Sequence, residues 1–153
     1  MNEQRHVVIV TGGRTYPRDL RGVVDAQLSA LYVRHGNFVL LHGACQPSGS
    51  DKMTGADRYA DDWARTVPGI DLRARPADWI QHGLQGGPIR NEAMVKEACE
   101  LASPEQIHGL AFPEPGSRGT WNCVGHMAAA GIEYDSWGVE RAREWLVAQR
   151  NHS

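Results

Sequence analysis

Residues 6–20 read HVVIVTGGRTYPRDL, and this stretch decides the architecture. Val7–Val10 is an unbroken β-branched apolar run, as a strand covered on both faces requires. Gly12-Gly13 breaks it. Pro17–His35 then places Leu20, Val23, Val24, Leu28 and Leu31 at helical spacing, with Pro17 able to open a helix and Gly36 to stop it. A buried strand, a glycine turn and an amphipathic helix together make the first half of a βαβ unit.

Working outward, the pattern recurs. Strands are expected at Phe38–His42, Asp71–Ala74 (short and weak), Ile107–Phe112 and Ile132–Ser136. Helices are expected at Gly55–Thr66, with Ala56, Tyr59, Ala60 and Trp63 facing inward, and at Pro88–Cys99, Gly119–Ala130 and Val139–Gln149. The helix over Gly119–Ala130 offers Ala128, Ala129 and Ala130 for close packing on a sheet. Gly43–Thr54, Pro76–Gly87 (containing Trp79) and Pro113–Arg118 read as connections. Apolar strands alternating with helices predict an α/β fold: a single Rossmann-like domain over 1–153, with a doubly wound, mainly parallel sheet of about five strands flanked by helices. Ligands of such sheets bind beyond the carboxyl ends of the strands.

The composition narrows the function. The chain has 153 residues, 16 Lys+Arg against 18 Asp+Glu and a net charge of −2. A duplex-binding module would carry a basic surplus, so nucleic acid is not the expected partner. Only Lys52 and Lys96 are lysines; the other 14 cations are Arg, which suits bidentate contact with phosphate or carboxylate. No apolar run reaches the ~18–20 residues of a membrane span, and His6–Thr11 is too short for a signal-peptide core, so a cytoplasmic protein with no membrane partner is expected. Three cysteines (Cys45, Cys99, Cys123) without a CxxC pair read as reduced thiols.

Each strand end is followed by a glycine-rich junction. These are Thr11-Gly12-Gly13-Arg14, then His42-Gly43-Ala44 with Gly55-Ala56-Asp57-Arg58, then Gly86-Gly87-Pro88-Ile89-Arg90-Asn91, and finally Pro115-Gly116-Ser117-Arg118-Gly119-Thr120. Glycine lets the backbone approach a ligand, and a helix N-terminus offers free N–H groups and a positive dipole end, so the set makes a cradle for phosphate. Each junction alone is also what any strand-to-helix turn needs. Asp57 serves either as a first-turn carboxylate favoured by the helix dipole or as an acceptor for ribose hydroxyls, a base edge or a proton. Asn91 either reads a base edge or bonds locally. Trp79 and Trp121, beside the ligand edge, either stack on a base or cap the sheet. His42-x2-Cys45 and Cys123-x2-His126 carry zinc-ligand types, but they end a strand and sit on a helix respectively; no metal and no cofactor is assigned.

Taken together these pieces resemble the SLOG superfamily, the Rossmann-like group that includes the LONELY GUY phosphoribohydrolases and the DprA/Smf proteins, and most of all its YspA-type, YpsA-related branch. The likeness rests on VTGGRTY (Val10–Tyr16), HGA (His42–Ala44), GADRYADDWA (Gly55–Ala64), PADW (Pro76–Trp79), GGPIRNEAMV (Gly86–Val95), AFPEPGSRGTWNCV (Ala111–Val124) and AAGI (Ala129–Ile132), in family order over roughly residues 6–136. It implies a pocket for a nucleotide-derived small molecule, with Gly12, Gly13, Arg14, Gly116, Ser117, Arg118, Gly119 and Thr120 at phosphate, and Gly43, Ala44, Gly55, Asp57, Arg58, Gly87, Arg90 and Asn91 completing the site. It also implies a homo-oligomer, dimer or higher. Phosphoribohydrolases cleave an N-glycosidic bond with an Arg, here Arg90, and with a Glu in PGGxGTxxE. The Glu position here is Cys123, so binding is the first expectation. The alternative is N-glycoside hydrolysis with Arg90 and Asp57 as catalytic residues. A DprA-type DNA-handling role meets the absence of a basic stripe. The loop Cys45–Thr54 (CQPSGSDKMT) departs from the direct HGGA-to-GAD run of relatives and would lie at the pocket mouth.

Overall fold

The structure, a computed structural model, describes residues 5–46 and 52–152. Its frame is a sheet of five parallel strands: β1 (Val7–Gly12), β2 (Val39–His42), β3 (Asp71–Ala74), β4 (Ile107–Phe112) and β5 (Glu133–Ser136), in the order β3-β2-β1-β4-β5. Helices α1 (Arg21–His35), α2 (Gly55–Thr66), α3 (Trp79–His82), α4 (Gly86–Leu101), α5 (Arg118–Ala129) and α6 (Val139–Asn151) supply the crossovers and the closing helix. The fold is thus a single α/β domain of Rossmann-like form.

Strand geometry explains why β1 shows no polar alternation. Successive side chains point to opposite faces, and both faces are covered. Val8 and Val10 pack with Leu28, Leu40, Ala60, Trp63 and Leu110 in one cluster. Val7 and Ile9 pack with Leu41, Met94, Val95, Cys123 and Met127 in the other. The edge strands are less buried: β3 is partly buried along its length, and Glu133, Tyr134 and Asp135 of β5 are exposed. Glu97 of α4 pins β3 by accepting from Arg73 at 3.0 Å and from Arg75 at 2.7 and 2.8 Å.

Three expectations are corrected. Pro76–Gly87 is no plain connection: α3 is a helical turn capped by Asp78, whose carboxylate accepts from the N–H of Gln81 at 3.0 Å, and α4 begins at Gly86, before Pro88. The first helix opens with a 3-10 turn over Arg18–Leu20, so α1 proper starts at Arg21. Ala128 and Ala129 are exposed; α5 packs through Cys123, Val124 and Met127 instead. The Met127 side chain fills the space left by Gly109 in mid-β4, where a Cβ would lie 2.6 Å from its sulfur. Residues 47–51 of the Cys45–Thr54 loop lie outside the described residues.

Candidate functional site at the carboxyl edge

Strand order reverses between β1 and β4, and the last register pair there is Gly12 opposite Phe112. The chain turns sharply at this switch point. The Gly13 N–H donates to the Phe112 carbonyl at 3.1 Å, and the Gly13 carbonyl accepts from the N–H of Tyr16 at 3.2 Å and of Ala56 at 3.4 Å. The amino end of α2 is thereby drawn onto the β1 turn. Gly55, with φ +68°, permits this approach, because a side chain there would strike the Gly13 carbonyl.

The β2 loop is held from three sides. His42, sealed from solvent, accepts from the N–H of Ala44 at 3.0 Å through Nδ1, so its proton sits on Nε2, which donates to Asp61 Oδ2 at 2.8 Å. Ala44 takes φ +49°, the one non-glycine residue in the left-handed region among the described residues. The Cys45 N–H donates to Asp57 Oδ2 at 3.1 Å. Arg90 Nη1 donates to the Gly43 carbonyl and, at 3.3 Å, to the Arg75 carbonyl. Burial of Asp61 would raise its carboxyl, but the hydrogen bonds from Arg65 and His42 outweigh it and hold the group below its ordinary value. Asp57 is 1% exposed, and its Oδ1 has no hydrogen-bond partner among the described residues. Burial, followed by the Asp57 charge, pushes the Cys45 thiol well above its ordinary range.

On the other side, Arg90 Nε donates to Asn91 Oδ1 at 2.7 Å, and Asn91 Nδ2 donates to the Gly119 carbonyl and to Asn122 Oδ1, each at 3.1 Å. Both amide donors of Asn91 are therefore committed to the protein, and only Nη2 of Arg90 keeps donors free among the described residues. The turn before α5 is closed by two hydrogen bonds. The Glu114 N–H donates to Ser117 Oγ at 2.8 Å, and the Ser117 N–H returns to the Glu114 carbonyl at 3.0 Å. Gly116 has φ +81°. Gly119 and Thr120, in the first turn of α5, have no carbonyl within the helix to bond. Arg118 is exposed beside them, and Arg14 reaches the Gln46 carbonyl at 3.4 Å.

Two of the expected residues have close neighbours of their own. Arg58 runs along α2 to Asp62 at 3.0 Å, which also holds Arg21. Gly87 lies under the Trp79 indole, where a Cβ would come within 3.0 Å of the ring. Cys123 is buried against β1, and that burial pushes its thiol up to about 11. Both ring nitrogens of His42 are taken, and among the described residues no group of three or more His, Cys, Asp or Glu could hold a metal ion.

Two acids escaped the sequence reading. Asp61 lies four residues after Asp57 on the buried stripe of Ala56, Ala60 and Ala64, a spacing that signals an inward-facing carboxylate. Glu114 directly follows Pro113 at the end of β4. Its Oε2 accepts from Thr15 Oγ1 at 2.5 Å, and its Oε1 lies against Gly13, where a Cβ would strike it. Beside it a cavity of about 520 Å³ is lined by Pro113, Trp121, Val139, Glu140 and Glu144. A smaller cavity of about 250 Å³, lined by His6, His35 and His108, lies at the opposite, amino edge of the sheet.

Compared with known families, residues 6–82, from just before β1 to the end of α3, match the model of the YspA, cpYpsA-related SLOG family. The Gene 61 protein of Mycobacterium phage D29 is 31% identical over 135 residues, which cover 86% of this chain and 95% of that protein. No solved structure matches the chain. No helix among the described residues is long and apolar enough to cross a membrane.

Proposed function

The chain belongs to the YspA, cpYpsA-related SLOG family, and from that premise we propose that it binds a nucleotide or a nucleotide-derived ligand, NAD- or ADP-ribose-like or a signalling nucleotide, at the carboxyl edge of the sheet, as a sensor or sequestering protein. Family membership suggests a nucleotide-related binding or enzymatic role. The observation that carries the binding reading is Asp57: a carboxylate 1% exposed, at the amino end of α2, with one oxygen unpartnered among the described residues. Such an acceptor calls for a donor, and ligand hydroxyls supply one. The first turn of α5 with Arg118, together with the free Nη2 of Arg90, offers donors to phosphate. Trp121, 49% exposed at the neighbouring cavity, offers a face for a base.

A second reading, hydrolysis of an N-glycosidic bond, is favoured by one observation. Arg90 and Asp57 both hold the β2 loop, through the Gly43 carbonyl and the Cys45 N–H, and Cys123 takes the position of the phosphoribohydrolase Glu. A neutral, buried thiol cannot stabilise a cationic sugar, so Asp57 would have to act. A thermal-shift panel of nucleotides, ADP-ribose and cyclic dinucleotides tests binding. The expected result is a raised melting temperature that Arg118→Ala and Asp57→Asn diminish. No shift with any member removes the reading. Release of free base, abolished by Asp57→Asn, would install the hydrolase in its place.

A further inference from the structure

We propose that Glu114 sets the sugar specificity of this site: its carboxylate accepts from the hydroxyls of a ribose seated on the Gly12–Gly13 turn and keeps phosphate off that turn. The inference rests on the nucleotide reading and assigns its ends. A glycine pair after β1 is the place where a phosphate would be expected, yet here a carboxylate already lies against it. Gly13 lets Oε1 approach this closely, since any side chain at that position would collide with it. The carboxylate is not there by accident of rotation. Its backbone is fixed by the two reciprocal bonds with Ser117, and its Oε2 is held by the Thr15 hydroxyl at 2.5 Å.

Oε1 is buried and has no partner among the described residues. Asp57, whose Oδ1 is also unpartnered, borders the same turn, since its neighbour Ala56 donates to the Gly13 carbonyl. Acceptors lacking donors suit ligand hydroxyls, and a ribose brings O–H groups. A phosphate brings only acceptors and negative charge, and would face repulsion from both. An acidic side chain on a ribose hydroxyl is the device by which dinucleotide-binding folds prefer a free 2′-hydroxyl to a 2′-phosphate. In this chain the acid comes from the β4 loop, across the switch point. The ligand then runs in one direction: sugar at the β1 turn, anion toward Arg118 and the first turn of α5.

The test is calorimetric titration of wild type, Glu114→Gln and Thr15→Val with matched probes: ADP-ribose against 2′-phospho-ADP-ribose, and AMP against 2′-deoxy-AMP. Wild type should favour the ribose form in each pair by about tenfold or more, because a site built to bond hydroxyls penalises their loss. Glu114→Gln, which keeps shape and removes charge, should narrow the preference against the 2′-phosphate. Thr15→Val, which keeps the charge but releases Oε2, should narrow both preferences. Wild type binding both members of each pair equally, or an unchanged preference in Glu114→Gln, overturns the assignment while leaving nucleotide binding intact. Binding of none of the four probes to wild type overturns the nucleotide reading itself and the assignment with it.

Discussion

Nε2 of His42 lies 2.8 Å from Oδ2 of Asp61, with both side chains sealed beneath the β2 loop. Because Nδ1 accepts from the Ala44 N–H, the ring is the neutral tautomer protonated on Nε2, and the pair is an imidazole donating to a carboxylate. The bond joins the last residue of β2 to α2 and so sets the direction in which the loop leaves the sheet.

Removing His42 leaves Asp61 Oδ2 buried without its donor, while Arg65 still holds Oδ1 at 2.6 Å. His42→Ala also opens a cavity, and it should destabilise the chain by about 3 kcal/mol in urea unfolding. A loss under about 1 kcal/mol would mean that the pair does not hold the loop.

Acid should weaken the same joint. Hydrogen bonds from Arg65 and His42 hold the Asp61 carboxyl below its ordinary 3.8. Arginine partners likewise lower Asp71 and Glu97. A carboxyl depressed by folding stabilises above its unfolded value and ceases to do so as pH falls through the folded value. Thermal melts from about pH 5 down to about pH 3 should therefore show falling stability, with a shallower fall in Asp61→Asn. A pH profile identical in that variant counts against the assignment.

Glycines at the site and away from it should respond oppositely to a methyl group. Gly55→Ala places a Cβ on the Gly13 carbonyl at φ +68° and should cost about 2 kcal/mol or more. Gly125→Ala, in mid-α5 with open space around it, should stabilise by about 0.5–1 kcal/mol. Both are read from denaturant midpoints. A tolerated Gly55→Ala would refute the close approach of α2 to the β1 turn.

The thiols should separate cleanly. Cys99 is exposed, whereas Cys123 is buried with its thiol up at about 11, and Cys45 is raised by burial and the Asp57 charge. Alkylation at neutral pH, followed by intact mass, should give one fast adduct at Cys99 and slow modification of the other two. Rapid labelling of Cys123 would contradict its place in the core.

The sheet was legible because β1, β2 and β4 are apolar runs whose burial needs no information from elsewhere. The short β3 was read to its observed ends, Asp71–Ala74, despite its polarity. The helical turn at Trp79–His82 escaped because Ile80 and Leu84 stay exposed, so no apolar stripe marks it. At the site, chain order brought the glycine junctions together, but it could not tell which polar groups the protein itself consumes. Asn91 is used up by Gly119 and Asn122, across 28 and 31 positions. Such pairings depend on rotamers and on crossings between elements far apart in sequence.

Those crossings govern how the site comes into being. Arg90 reaches Gly43 across 47 positions, Asn91 reaches Gly119 across 28, and Thr15 reaches Glu114 across 99. No contiguous fragment holds the whole of the proposed site, and parallel pairing of distant segments is a slow event in folding. Recovery of ligand recognition during refolding should therefore coincide with the final cooperative step rather than precede it. A nascent chain still lacking β4 and α5 would hold the β1 glycine turn but neither Glu114 beside it nor the first turn of α5.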